Sequence, residues 1–379
     1  MKVLQLHNTY LEAGGEDGVV LRERELLTER RHQVETIQFQ NPEEAGEQAK
    51  SLLFSNWNRS SAKRVAQVVD GAAFDITHVH NTWYQASPSA VAAAARQTPV
   101  VATLHNYRRV CLNAYLFREN SPCTDCVGHL PWRGVVRGCY RDSRVASTAI
   151  GVATGVNRAF GTLDRVVDRY LVLSDFAAEL AEKTGVDADR IVRHDNFVPD
   201  PGPRTVLASD SSTVLAVGRL SQEKGFVDLL RAWNRTPTNG LELVIVGDGP
   251  NRERLRSLAG SDVHVVGRKS GEEVSALMRS SRALVFPSRW YEGQPLVILE
   301  ALAAGLPVIS SDHPPLREVL GDSSQILVDE DNWREALEQV ADDSWTCEAS
   351  KAARSRFEDR YSPEVAGDRL EGIYESVLR

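Results

Sequence analysis

Short, nearly uninterrupted apolar runs alternate with helix-period segments along the whole of this chain, and that rhythm leaves few folds open. In the first half the strand-like runs are Val3–Leu6, Val34–Phe39, Ile76–Val79, Val100–Leu104 and Tyr170–Leu173. In the second they are Val214–Val217, Leu243–Val246, Val263–Val266, Leu284–Phe286, Val308–Ser310 and Ile326–Val328. Helical periods separate most of them, among them Phe226–Trp233, Arg252–Leu258 and Glu272–Ser280. Strands apolar on both faces and divided by helices predict parallel sheets covered on each side, an α/β class. A chain of 379 residues exceeds one core, so two domains are expected. The proline-rich stretch Asn196-Phe197-Val198-Pro199-Asp200-Pro201-Gly202-Pro203 reads as the linker, giving domains over 1–197 and 204–358. Two doubly wound domains facing a central cleft would carry ligand loops at the carboxyl ends of their strands.

Charge narrows the partners. A formal net charge of −8 argues against broad nucleic-acid binding, which needs a basic surface. No run of about eighteen apolar residues is present to span a membrane. The chain enters a strand at Lys2–Leu6 without a signal-peptide pattern, so a cytoplasmic location is expected.

The densest chemistry lies in Tyr291-Glu292-Gly293-Gln294-Pro295-Leu296-Val297-Ile298-Leu299-Glu300, where seven residues separate two carboxylates. Pro295 to Ala304 reads as a helix, with Pro295 in the first turn, where a missing N–H costs nothing. The N–H groups of Gln294 to Val297 then offer an anion site, and carboxylates accept hydrogen bonds from vicinal hydroxyls. The segment reads as a holder for a sugar diphosphate. Gly218-Arg219-Leu220-Ser221-Gln222-Glu223-Lys224-Gly225 follows a strand and sets Arg and Lys five apart, cations suited to phosphate. A solvated charged loop is the alternative. Gly247-Asp248-Gly249-Pro250 and Gly267-Arg268 end the next two strands as glycine turns. Gly14-Gly15 precedes a helix from about Asp17 to Arg31; it suits a phosphate or a plain tight turn. Asp187-Ala188-Asp189 and Asp329-Glu330-Asp331 mimic an Asp-x-Asp metal motif but read better as helix N-caps.

Together with Thr103-Leu104-His105-Asn106, these motifs resemble the retaining glycosyltransferases of family 4, which have the GT-B fold. The resemblance covers nearly the whole chain. It implies that Arg219 and Lys224 neutralise a donor diphosphate, that Glu300 holds the ribose, and that Glu292 holds the donor sugar. Gly293, Gln294, Pro295 and Leu296 would line the sugar and phosphate, with Gly218, Gly247 and Arg268 beside the nucleotide. Gly14 and Gly15 would close over the diphosphate, and His105 would face the transferred sugar. The segment 359–379 resembles the family's last helix, which crosses back to the N-terminal domain. Implied is transfer of a hexose-type sugar from a UDP- or GDP-linked donor to a sugar, lipid-linked or small-molecule hydroxyl. Retention would proceed by front-face attack, with no metal or other cofactor in catalysis. A silent nucleotide-sugar-binding scaffold and another GT-B enzyme, such as an epimerase, are the rivals.

The stretch from about 107 to 145 departs from a plain family pattern. Cys111, Cys123, Cys126 and Cys139 suit a structural zinc, with His129 as a substitute ligand; buried thiols or a disulfide are the alternatives. Arg133, Arg137, Arg141 and Arg144, spaced by four, four and three, would form one basic face on a helix. Such a face could meet anionic lipid at the inner membrane surface, or be simply solvated. This insert is where acceptor specificity is expected.

Overall fold

The computed structural model describes residues 1–9, 14–53, 55–237, 239–321, 325–328 and 332–379. Two compact units result. The first comprises Met1–Leu116, Cys123–Asp195 and Gly367–Arg379; the second comprises Phe117–Pro122 and Asn196–Ala366.

Strands of the first unit are β1 (Lys2–Thr9), β2 (Gln33–Gln40), β3 (Ile76–Asn81) and β4 (Val100–Leu104). A small antiparallel hairpin, β5 (Phe117–Arg118) with β6 (Ser121–Pro122), interrupts the series, which resumes with β7 (Arg169–Val172) and β8 (Ile191–Arg193). The six-stranded sheet has the order β2-β1-β3-β4-β7-β8 and is parallel throughout. Val3 pairs with Val34 on one side and Ile76 on the other. Sequence periodicity misses β8, because its two apolar residues, Ile191 and Val192 between Arg190 and Arg193, carry too little signal to be read as a strand.

The second unit contains β9 (Thr213–Val217), β10 (Glu242–Val246), β11 (Val263–Gly267), β12 (Ala283–Phe286), β13 (Val308–Ser311) and β14 (Ile326–Val328). All six are predicted from the sequence. Their order is β11-β10-β9-β12-β13-β14, again parallel. Period-two alternation divides the core into two layers. Val214, Ala216 and Val285 join Trp233 and Leu255 on one face, while Leu215, Leu284 and Phe286 join Ile298 and Leu302 on the other.

The last helix, Pro363–Leu378, follows the helix Asp343–Arg360. Its Leu370, Ile373 and Tyr374 pack on Val3, Ile76, Val101 and Leu171, so the end of the chain covers one face of the first sheet. Among the described residues, no helix is long and apolar enough to cross a membrane.

Leu370 is fully buried in that layer. Leu370→Ala is expected to cost about 2–5 kcal/mol, the range for emptying a buried leucine site. A urea titration checks this: an unchanged midpoint would show that the last helix adds nothing to the first unit's core.

Candidate functional site

In the second unit the strand order reverses between β9 and β12, neighbours in the sheet but far apart in sequence. Loops leaving such a pair diverge and open a crevice at the carboxyl edge. The loop after β9 is Gly218 to Gly225, and the one after β12 runs from Pro287 to Pro295.

Backbone bonds stitch the edge together. Gly218 N–H donates to the Val246 carbonyl (3.0 Å), Leu220 N–H to Asp248 (2.9 Å) and Gly247 N–H to Gly267 (2.9 Å). Glycine is required where two of these turns meet. A Cβ on Gly247 would lie 1.9 Å from the Gly218 oxygen, and one on Gly225 would lie 1.9 Å from the Pro287 oxygen. Gly225 also holds φ at +70°, in the left-handed region.

The packing of Gly225 against Pro287 brings Lys224 to Glu292. The Lys224 Nζ donates to Glu292 Oε1 at 2.6 Å, and Ser288 Oγ donates to the same oxygen at 2.6 Å. The ammonium also sits 4.9 Å from the centre of the Trp290 ring, within cation–π range. Glu292 is buried, so this is a paired, desolvated carboxylate and not a surface ion pair. Behind it, His313 Nε2 lies 3.1 Å from the Ser288 carbonyl and its ring meets Tyr291 edge-on.

The helix beside this pair is Leu296–Ala303. Pro295 is its N-cap, at φ −72° and ψ 118°, not a residue of its first turn as the sequence suggests. The extended ψ starts the helix one residue later, leaving the N–H groups of Leu296 and Val297 without intrahelical acceptors. Gln294 is buried, its side-chain oxygen taking the Asn196 N–H. Glu300 is half-buried one turn along the helix, while Arg219 and Arg268 are exposed on their loops. Asp187 stands at an N-cap position but makes no capping hydrogen bond, contrary to expectation. Asp329 to Asp331 lie outside the described residues.

In the first unit the reversal falls between β1 and β3. Gly14 caps the helix Gly15–Glu29, and its N–H donates to Asp17 Oδ2 at 2.8 Å. Asp17 in turn lies 2.7 Å from His7 Nε2. Two acidic residues, Glu16 and Asp17, thus occupy the first turn of the helix that Gly14 and Gly15 open. His105 follows β4 directly and lines a cavity of about 170 Å³ with His80, Asn106, Arg108 and Trp83.

Sequence reasoning passes over the buried network behind His105. Glu23 Oε1 lies 2.8 Å from His78 Nδ1 and 3.2 Å from His80 Nε2, and His80 Nδ1 lies 3.1 Å from His105 Nε2. Tyr374 OH reaches His78 Nδ1 at 2.8 Å, and Thr103 Oγ1 reaches its Nε2 at 2.7 Å. Burial pushes His80 down to about 4, against the opposing pull of Glu23. It pushes His194 to about 4 and His105 well below the usual imidazole range. Burial alone would raise Glu23, but His78 and His80 outweigh it and hold the carboxyl low. The signal was there in the sequence. Glu23 stands on the apolar stripe of Val19, Val20, Leu26 and Leu27, and His78 and His80 alternate inside a buried strand.

Two family models match successive parts of the chain: Glycosyltransferase Family 4 over residues 13–200 and Glycosyl transferases group 1 over 203–352. The chain belongs to the group 1, family 4 glycosyltransferases. Phosphatidyl-myo-inositol mannosyltransferase of Mycolicibacterium smegmatis is 27% identical over 69% of this chain and 70% of its own length. Alpha-D-kanosaminyltransferase of Streptomyces kanamyceticus is 30% identical over 44% of this chain and 46% of its own. In three of the strongest matches the chain spans only 57%, 66% and 46% of the curated relative's length. The fold is GT-B. Anabaena HepE with UDP and glucose superimposes at a TM-score of 0.66 and 15% identity, covering 99% of this chain and 100% of that one. Sucrose-phosphate synthase from Thermosynechococcus elongatus does so at 0.71 and 16%, covering 100% and 99%.

The stretch from about 107 to 145 is irregular. Its arginines do not share one helix. The helix Trp132–Arg137 stops at Gly138, left-handed at φ +68°, and Arg141 itself takes φ +53° before a second helix begins at Arg144. Arg137 pairs with Asp125, and Arg141 donates to Gln48. Cys111, Cys123, Cys126 and Cys139 are half-buried and form no disulfide. Backbone N–H groups of Leu116, Asn113, Ala114 and Tyr115 surround the Cys111 sulfur. Among the described residues, the group of three metal-capable side chains within 4.8 Å is Glu23, His78 and His80, and no three of the thiols come that close.

The buried imidazoles give a signed pH dependence. His80 and His194 stay neutral in the folded chain down to about 4, whereas unfolded histidine takes up its proton near pH ~6.5. Between those values the unfolded chain binds more protons, so stability is full above that upper pH and falls as pH drops towards the lower. A loss of a few kcal/mol, on the order set by such shifts, is expected between pH ~7.5 and ~5. Urea midpoints that stay flat over that interval would contradict it.

Proposed function

We propose that this chain moves a hexose-type sugar from a UDP- or GDP-linked donor to an acceptor hydroxyl, with retention at the anomeric carbon and without a catalytic metal. The observation that carries the reading is the Lys224–Glu292 pair at the β9/β12 reversal, beside the helix end at Leu296 and Val297. Cleaving a bond from sugar to diphosphate builds negative charge on the leaving phosphate. Lys224, Arg219 and the N–H groups of Leu296 and Val297 are cations and dipoles of the kind that stabilise it, in place of a metal. Glu292 would take hydroxyls of the donor sugar, and Glu300 those of the ribose. The leaving phosphate would accept the acceptor's proton. His105 would face the transferred sugar.

The comparisons support parts of this. Relatives carry names referring to colanic acid, teichuronic acid and amylovoran biosynthesis, which favours assembly of a polysaccharide. HepE has been crystallised with UDP-glucose, which favours a nucleotide-linked donor. A silent binding scaffold predicts donor binding without product, so turnover with a panel of UDP- and GDP-sugars separates the two readings.

Glu300→Ala is expected to abolish transfer with the thermal midpoint preserved; a fully active variant would remove the ribose assignment. Lys224→Ala should weaken donor binding about tenfold to a hundredfold, the loss of one charge-assisted hydrogen bond. Unchanged affinity by calorimetry would refute its role at the diphosphate.

A structural zinc on Cys111, Cys123, Cys126 and Cys139 belongs to this proposal as a brace for the insert. Its support is the set of N–H groups around the Cys111 sulfur. The metal would have to draw the four sulfurs closer than they stand. Metal analysis checks it, one zinc per chain being expected; a value near zero with titratable thiols ends the idea.

A further inference from the structure

Histidines on neighbouring strands of the first unit, with one buried carboxylate, form a chain that ends at the cavity. His78 and His80 lie two apart on β3, so they share a face of the sheet. Glu23, 2% exposed, reaches both from the helix Gly15–Glu29. Its Oε1 also accepts from Gln5 Nε2 at 3.2 Å. His80 stacks on His105 with ring centroids 5.4 Å apart and an interplanar angle of 21°. Their nitrogens, His80 Nδ1 and His105 Nε2, meet at 3.1 Å. The other ionisable neighbours are His7, itself tied to Asp17, together with His194 and Tyr374.

Proton positions follow by elimination. A carboxylate only accepts. The His80 Nε2 approach to Glu23 Oε1, at 3.2 Å, is not a well-aligned hydrogen bond. It still fixes the proton, because a bare nitrogen there would set a lone pair against a carboxylate oxygen. Neutral imidazole has one N–H, so His80 Nδ1 is an acceptor. His105 Nε2, facing it, must donate. Neutral His105 then has an unprotonated Nδ1, for which the described residues supply no hydrogen-bond partner. His105 is half-buried and lines the cavity, and its Nδ1 is not among the buried, unsatisfied atoms. Burial keeps both rings neutral at physiological pH.

We propose that Glu23 and His80 are positioning residues that lock His105 in its Nε2–H form, so that Nδ1 presents an acceptor to a hydroxyl of a ligand in this cavity. A locked acceptor selects an O–H donor and disfavours a phosphate oxygen, whose lone pairs it would oppose. The identity of that hydroxyl as one of the transferred sugar rests on the proposed function; the proton assignment does not.

The test uses the full chain with its nine histidines labelled with 15N, in a two-bond proton–nitrogen correlation at pH ~7.5. His105→Ala identifies the His105 signals by their loss. A protonated-type Nε2 and a bare-type Nδ1 are expected for His105; the reverse pattern, or two protonated nitrogens, overturns the proposal. His80→Phe keeps a ring in the stack but removes the acceptor. It should give a mixture of His105 tautomers and lower kcat on the order of tenfold, as for other partners that orient a functional histidine, with KM for the donor little changed. An unchanged His105 tautomer in His80→Phe also overturns it. Should that variant fail to fold, the wild-type spectrum alone decides. A chain with the expected tautomer that transfers no sugar would defeat the proposed function and leave the proton assignment standing.

Discussion

The reversal of strand order beside β9 is the constraint on which the second unit's site depends. In a parallel sheet every βα loop emerges at the same edge, and loops normally lie side by side. Where β9 meets β12, the two following segments turn to opposite faces and leave a gap. The β9 loop lies directly on the backbone after β12, and Lys224 meets Glu292 beside that contact. Gly225 makes this contact possible: any side chain there would collide with the Pro287 carbonyl. One glycine therefore sets the geometry of the Lys224–Glu292 pair.

That pair and the Glu23 cluster solve the same physical problem in different ways. A carboxylate taken out of water needs compensation. Glu292 is compensated by a full cation and a hydroxyl, on a lysine still partly open to its surroundings. The flexible stem of lysine leaves such a pair open to exchange. Glu23 is compensated by imidazoles and an amide with no solvent access. These partners are themselves held in the core, which fixes their orientation and leaves no room for exchange.

Legibility in the sequence followed the range of the interactions. The second sheet was readable strand by strand, since each strand is a run of three to five mostly apolar residues and helical segments separate most of them. Local chemistry was readable too, as in the Glu292-to-Glu300 segment and the loop from Gly218 to Gly225. What escaped was set by contacts between distant residues or by backbone geometry. Pro295 shifted from helix to cap because its ψ is extended, a choice that proline permits equally well. The arginine periodicity from 133 to 144 failed because Gly138 took a left-handed turn and Arg141 followed it.

The Glu23 network shows where a sharper reading was available. A glutamate on the apolar stripe of a helix and two histidines inside a buried strand are each costly alone, and a folded protein retains such groups only when they find one another. Counting them as anomalies, one helix and one strand apart, would have paired them before any coordinates. Their connection to His105 could not be foreseen that way. It depends on the β3–β4 register, in which His78 pairs with Val101, so that His80 comes level with Thr103 and His105 follows two residues on, on the same face. The sheet register, more than any motif, puts an acceptor nitrogen at the cavity.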